Sequence, residues 1–304
     1  MVVSHGSLRS ARSRTTLTIG NFDGVHRGHR ALIERVVAKG RELGLTSCVL
    51  TFEPHPREFF AGDAAPARLT RLHDKLELLA AAGAERVHLI HFNARFAAMS
   101  AARFISDVLV HGLGVQWLLV GRDFRFGAKR QGDFGTLDSA ARRDGFSLEA
   151  MPDVSHDGER VSSSAVRAAL AAGDFAHAER LLGRPYSISG KVGPGARLGR
   201  ELGFPTANIA LAQRPPLSGI YVVEVEGRGR GVASVGRRPT VNPVAKPLLE
   251  VHLFDWDGEL YGERLRVRFL RKLRDEVKFD DLAALRRAIA QDAEQARQYF
   301  ARHG

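Results

Sequence analysis

The strongest constraint on what this chain can fold into is a change of texture at residue 185. Before it, short apolar runs at 16–19, 47–52, 86–92 and 117–120 alternate with helix-spaced patterns at 31–43, 72–82 and 101–110. That alternation predicts an α/β domain built on a parallel sheet, because parallel strands need long crossovers and the crossover helices cover both sheet faces. Beyond Pro185, apolar runs at 186–191, 220–226 and 265–269 are separated by Gly- and Pro-rich turns, which predicts an antiparallel β-barrel. Within 265–269, Leu265, Val267 and Phe269 alternate with Arg266 and Arg268, the pattern of a strand with one buried face. Residues 280–302 are rich in Ala, Leu, Arg and Gln and predict a terminal α-helix packed on the barrel. The expected organisation is a disordered leader at 1–14, an α/β domain at 15–184 and a barrel domain at 185–304, joined by a short linker around Gly183 to Pro185.

With 304 residues and 44% hydrophobic content, the chain can bury two cores. No run of about 18 apolar residues marks a membrane span. The single cysteine, Cys48, rules out an internal disulfide, and no Cys/His cluster has zinc spacing, so a reducing cytoplasm is the expected location. The net charge of +11 raises a nucleic-acid reading. The charge is nevertheless spread, with 25 basic and 20 acidic residues up to Arg184 and 20 and 14 after it. No concentrated basic arm is present, and such a balance suits nucleotides as well as RNA.

The densest chemistry follows the first apolar run, in Gly20-Asn21-Phe22-Asp23-Gly24-Val25-His26-Arg27-Gly28-His29. Side chains at i and i+3 share a helix face, so His26 and His29 at a helix start can grip one phosphate chain. The helix N-terminus adds unpaired N–H groups and the positive end of its dipole. Gly20, Gly24 and Gly28 let a nucleotide approach the backbone. Three further clusters fall where a parallel sheet places ligands: residues 51–56 (TFEPHP), 121–127 (GRDFRFG) and 160–167 (RVSSSAVR). The serines of the last are good helix caps and equally good phosphate donors, with Arg167 as a charge-assisted partner.

GNFDGVHRGH, TFEPHP, GRDFRFG and RVSSSAVR, in this order and spacing, resemble the FMN adenylyltransferase module of bacterial FAD synthetases, one of the HxGH nucleotidyltransferases. The resemblance implies a Rossmann-like domain in which the FMN phosphate attacks the α-phosphorus of ATP and pyrophosphate leaves, with no covalent enzyme intermediate. It implies that His26 and His29 stabilise charge on the transferred group and that Gly20, Phe22, Asp23, Gly28 and Asp123 line the ATP site. It further implies that Ser163, Ser164 and Arg167 hold the triphosphate and that Mg²⁺ bridges phosphate oxygens. Ser164 stands where the family often has Thr, keeping the hydroxyl. Asp123 stands where some members have Asn, exchanging an amide for a carboxylate.

In the second half, residues 190–208 hold five glycines and two prolines around Thr206 and Asn208. This is either an elaborate barrel turn or a Gly-rich flap over phosphates with Thr206 and Asn208 directed at a metal. Glu250 lies inside the apolar run 249–254, on a solvated face or as a held catalytic base. GRELGFPTAN, SGIYVVEV, SVGRRPT, LEVHLFDWDGELYG and LRDEVKF together resemble the riboflavin kinase module. By that resemblance Gly190 and Gly199 belong to the ATP flap, Thr206 and Asn208 bind Mg²⁺-ATP, and Glu250 takes the proton from the riboflavin 5′-hydroxyl. Pro194-Gly195 replaces the family's usual His-Gly, and Glu259 stands where Asp is usual.

The implied protein is bifunctional, converting riboflavin to FMN in its second half and FMN to FAD in its first. Its ligands are then riboflavin, FMN, ATP and Mg²⁺, without nucleic acid or membrane. Two other readings stay open: a riboflavin kinase whose first domain is inactive or directed elsewhere, and a basic RNA-binding protein. The second requires basic and aromatic residues interleaved on barrel strands, whereas the aromatics here are scattered. Oligomeric state and the residues that hold the isoalloxazine ring are not legible.

Overall fold

The computed structural model describes residues 1–5, 14–195, 199, 202–236 and 247–303. The chain forms two compact units, one of Met1–Pro66 with Leu72–Ser162 and one of Ala67–Arg71 with Ser163–Gly304. These compact units part at 162/163 and around 67–71, whereas the sequence reading divides the chain into domains at 184/185.

The first unit is built on six parallel strands: β1 (Val2–His5), β2 (Thr15–Ile19), β3 (Thr46–Glu53), β4 (Arg86–His91), β5 (Val115–Gly121) and β6 (Ser147–Met151). Their order is β1-β4-β3-β2-β5-β6, so the winding reverses between β2 and β5. In open α/β sheets that reversal leaves a crevice at the carboxyl ends of the strands. Every residue of β2 is buried, as a central parallel strand covered on both faces must be. One face packs Leu17, Leu50, Leu118 and Val120 with Phe104 and Leu137, and the other packs Val49 and Val87 with Ile33 and Leu79.

The helices of this unit are α1 (Arg27–Leu43), α2 (Pro56–Ala61), α3 (Leu72–Ala81), α4 (Ala94–Ala97), α5 (Ala101–Arg103) and α6 (Phe134–Asp144). Two expectations change here. Val2–His5, placed by the sequence in a disordered leader, form an edge strand paired with β4 from Val2↔Arg86 to His5↔Leu89; the rest of that leader up to residue 13 lies outside the described residues. The predicted helix at 101–110 is one α turn followed by a π-helical segment, Phe104–Val110. His111 N donates to Ser106 O and Leu113 N to Val108 O, both five residues back. Phe104, Ile105, Val108 and Leu109 of this segment are all buried. A two-stranded ribbon, β7 (Ser155–His156) with β8 (Glu159–Arg160), follows β6.

The second unit opens with α7 (Ser163–Ala171) and α8 (Phe175–Leu182). A closed antiparallel barrel follows, made of β9 (Ser187–Gly193), β10 (Ala207–Ala210), β11 (Gly219–Val225), β12 (Gly229–Gly236), β13 (Leu248–Leu253) and β14 (Arg264–Arg274) in the order β10-β13-β12-β11-β14-β9. Leu265, Val267 and Phe269 are buried, as their alternation predicts. The terminal helix, α9 (Leu282–His303), lays Ala293, Ala296 and Phe300 against Val222 and Val232. Its Asp292 carboxylate takes a bidentate grip from Arg274 at 2.9 and 2.6 Å.

Candidate active sites

In the first unit the loop between β2 and α1 lies at the winding reversal. His26 is the N-cap of α1, and its Nδ1 accepts the His29 amide at 3.3 Å. With Nδ1 accepting the amide, Nε2 is the ring's outward donor. The two imidazoles stack with centroids 3.7 Å apart and planes 15° off parallel, and Phe22 leans on His29 at 5.1 Å. His29 Nδ1 is buried with no hydrogen-bond partner among the described residues. Burial holds the His29 pKa well below the ordinary imidazole value, and the neighbouring His26, Lys75 and His55 push it the same way.

The loop itself is strained. Phe22 and Val25 adopt φ of 49° and 40°, a region that side chains with a Cβ rarely enter, and both are almost fully buried. Asp23 is buried beside them. A Cβ on Gly28 would stand 3.3 Å from the His26 ring, so the missing side chain leaves that ring its place. A Cβ on Gly20 would press on Phe22 at 3.1 Å.

The 51–56 cluster meets this loop through its strand end. Thr51 Oγ1 donates to Asn21 O at 3.3 Å, and His55 is buried at the N-cap of α2. Lys75, from α3, reaches both segments and is fully buried. The sequence does not single it out, although it shares a helix stripe with the fully buried Leu79, where a core side chain is the rule. Asp123 ends β5 on an exposed turn and faces Arg160 at 3.7 Å. Ser163, Ser164 and Arg167 lie on the first turns of α7, in the second compact unit, where Arg167 Nε donates to Ala67 O at 2.6 Å.

In the barrel, β13 runs between β10 and β12, and Glu250 pairs with Asn208 on one side and Ser234 on the other. Directly opposed residues of antiparallel strands share a face, so Asn208, Glu250 and Ser234 form one row. The Asn208 amide Nδ2 donates to Thr206 O at 3.1 Å and lies 3.5 Å from Thr206 Oγ1. Its Oδ1 is buried without a hydrogen-bond partner among the described residues. An unpartnered buried amide oxygen and a hydroxyl two residues away are the kind of oxygen donors a hard cation takes, and their chemistry fits Mg²⁺. Side chains on Gly195 and Gly199 would collide with the Asn208 amide and the Phe204 carbonyl, so both positions call for glycine. Gly190 is demanded by packing instead, since a Cβ there would strike Ile209 and Arg71. Arg200, Glu201 and residues 237–240 of the quoted motifs lie outside the described residues.

A pocket of about 530 Å³ opens beside Thr206, lined by Val192, Ala207, Val251, Leu253 and residues 256–261. Its volume and apolar walls suit a nucleoside or a flavin ring. Glu259, at the position where the motif departs from the family, is on its rim. Carboxylate crowding is present nearby: burial and the Glu250 charge raise the Glu276 pKa, with Arg274 opposing them.

Comparison with known proteins gives a family for each half of the chain. The family model described as FAD synthetase matches residues 8–165, and that described as riboflavin kinase matches 182–300. A protein of Pseudomonas fluorescens named bifunctional riboflavin kinase/FMN adenylyltransferase is 50% identical over 96% of this chain and 94% of its own length. The Escherichia coli K12 protein of the same name is 48% identical over 97% and 96%. Among solved structures, one titled macrolide-efflux protein from Streptococcus pneumoniae superposes with a TM-score of 0.79 at 28% identity, covering 98% of this chain and 99% of that one.

Proposed function

The chain belongs to the bifunctional riboflavin kinase/FMN adenylyltransferase family, and from that premise we propose how its own residues divide the two reactions. The barrel phosphorylates riboflavin with ATP to give FMN. The α/β domain joins FMN to the AMP moiety of a second ATP, giving FAD and pyrophosphate.

In the kinase, Glu250 accepts the proton of the riboflavin 5′-hydroxyl as its oxygen attacks the γ-phosphorus and ADP leaves. The row that Glu250 forms with Asn208 supports this, since it sets the base beside the proposed metal ligands. Thr206 Oγ1 and Asn208 Oδ1 would hold Mg²⁺, which when bound neutralises phosphate charge. Gly199 lets the flap come close to the triphosphate; Gly190, by its packing, acts at one remove.

In the adenylyltransferase, a phosphate oxygen of FMN attacks the α-phosphorus of ATP and the α–β bridging bond breaks. His26 offers its Nε2 proton, and neutral His29 a second hydrogen bond, to oxygens whose charge grows in the transition state. Neither needs to gain or lose a proton. Gly20, Phe22, Asp23 and Gly28 shape the loop that seats the nucleotide; by the family resemblance Asp123 also serves the ATP site and Ser163, Ser164 and Arg167 serve the triphosphate. The observation that carries this reading is the stacked histidine pair at the head of α1.

We place the protein in the cytoplasm. The buried Cys48 thiol, its pKa pushed up to about 12 by burial, is inert in a reducing compartment, and among the described residues no helix is long and apolar enough to cross a membrane. Incubating the purified chain with riboflavin, ATP and Mg²⁺ and separating the flavins tests the whole assignment. FMN followed by FAD is expected; a folded protein that makes neither refutes it.

A further inference from the structure

Lys75 is a buried cation that neither reaction has yet used. Its side chain is 0% exposed, and an ammonium removed from water must recover its lost hydration. Nζ lies 3.3 Å from Asn21 O, 3.4 Å from Thr51 Oγ1 and 3.4 Å from His55 Nε2, three acceptors for the three N–H bonds of an ammonium. Glu53 Oε2, at 4.0 Å, supplies the opposite charge.

These partners come from two separate segments. Asn21 precedes the strained residues Phe22 and Val25, whereas Thr51, Glu53 and His55 end β3 and lead into α2. The Asn21 carbonyl is held twice, by Lys75 and by the Thr51 hydroxyl, which itself accepts from Lys75. A backbone in a sparsely populated conformation persists only where its surroundings over-determine it.

We propose that Lys75 is a positioning residue for adenylyl transfer, its ammonium binding the Asn21 carbonyl to the end of β3 and so fixing the loop that presents His26 and His29. The inference rests on assigning adenylyl transfer to the first unit. The cation has a second effect, which a purely structural strut would lack. His29 is faced by His26, Lys75 and His55, and Lys75 is among the charges that keep it unprotonated.

The test uses the full chain with Lys75→Met and Lys75→Gln, following FAD formation from FMN and FMN formation from riboflavin in the same preparations. A misplacement of this order in the loop is expected to lower kcat for FAD at least about tenfold in Lys75→Met, with KM for ATP within about threefold of the original. The acid limb of the FAD pH profile should move to higher pH in both variants, because losing the cation raises the His29 pKa. Lys75→Gln, which restores one N–H donor without charge, should recover part of kcat but none of the limb shift. FMN formation, unchanged, certifies the folded barrel, and thermal unfolding certifies the first unit; if Lys75→Met does not fold, Lys75→Gln carries the test alone. A kcat within about threefold of the original, or a limb that does not move, overturns the inference. An original chain that makes no FAD at all overturns the underlying assignment instead.

Discussion

His26 accepts the amide hydrogen of His29 on Nδ1 while the two rings stack, so one residue caps the helix, orients its partner and turns its own proton outward. In the proposed adenylyl transfer, both rings are thereby held in place before any nucleotide arrives. His29→Ala removes one of them and the surface on which His26 rests. FAD formation from FMN should fall by about 100-fold or more, the range found when a preorganised donor is deleted from a site of developing negative charge. FMN formation should stay within a factor of about two, and quantifying both flavins by chromatography checks the split.

The depressed pKa of His29 ties stability to pH in a definite direction. The unfolded imidazole takes a proton near its ordinary value of about 6.5, while the folded one resists until lower pH. The first unit therefore keeps full stability above about pH 6.5 and loses it as pH falls through that value towards the folded pKa, by at most about 1.4 kcal/mol per pH unit for this one group. Denaturation from pH 8 to pH 5 should show the decline, and His29→Gln should flatten it. An unchanged slope in that variant would assign the acid sensitivity to other groups.

Gly28 is an ordinary helix position by its backbone, where alanine stabilises by up to about 1 kcal/mol. Its Cβ would nevertheless stand 3.3 Å from Nδ1 and Cε1 of His26. Gly28→Ala should therefore leave the melting temperature nearly unchanged while cutting FAD turnover by about tenfold, because the displaced ring no longer points its donor at the reacting phosphate. Retention of full turnover would show that the His26 orientation does not matter.

Glu250 and Asn208 lie opposed across β13 and β10, and the roles proposed for them separate base chemistry from metal binding. Glu250→Gln should abolish FMN formation yet leave FAD formation intact when FMN is supplied. Asn208→Ala should raise the Mg²⁺ concentration needed for half-maximal kinase activity by about tenfold, since loss of a single oxygen ligand is worth about 1.4 kcal/mol or more. A magnesium titration of FMN formation, with FAD formation as the control, distinguishes this from misfolding.

The elements that carry chemistry were legible because their signals are local. Strands β2 to β5 and helices α1 and α3 follow from apolar spacing within a few residues of the observed ends, and the Glu250 strand follows from its flanking apolar residues. What escaped depends on partners far along the chain. Val2–His5 are a strand only because β4 offers them an edge, and nothing in their own composition marks them. Lys75 disrupts the apolar count of α3, yet it is buried, because its acceptors lie at residues 21, 51 and 55. The π-helical register of 104–110 has no mark in its side-chain spacing, since helical periodicity alone predicts an α-helix there.

The place where α8 is anchored bears on how this gene can be divided. Phe175 packs edge-on against Tyr221 at 5.8 Å and lies over Phe269 at 6.3 Å, so a helix that reads as the tail of one module is part of the other's interior. Arg71, from the segment between α2 and α3, donates to Ser189 O at 2.8 Å in the same barrel. A kinase expressed from residue 185 onward would lose both, exposing the aromatic pair that Phe175 covers. Splitting the two catalysts into independent polypeptides, by engineering or by gene fission, would have to carry residues 163–184 with the kinase and supply a substitute for 67–71.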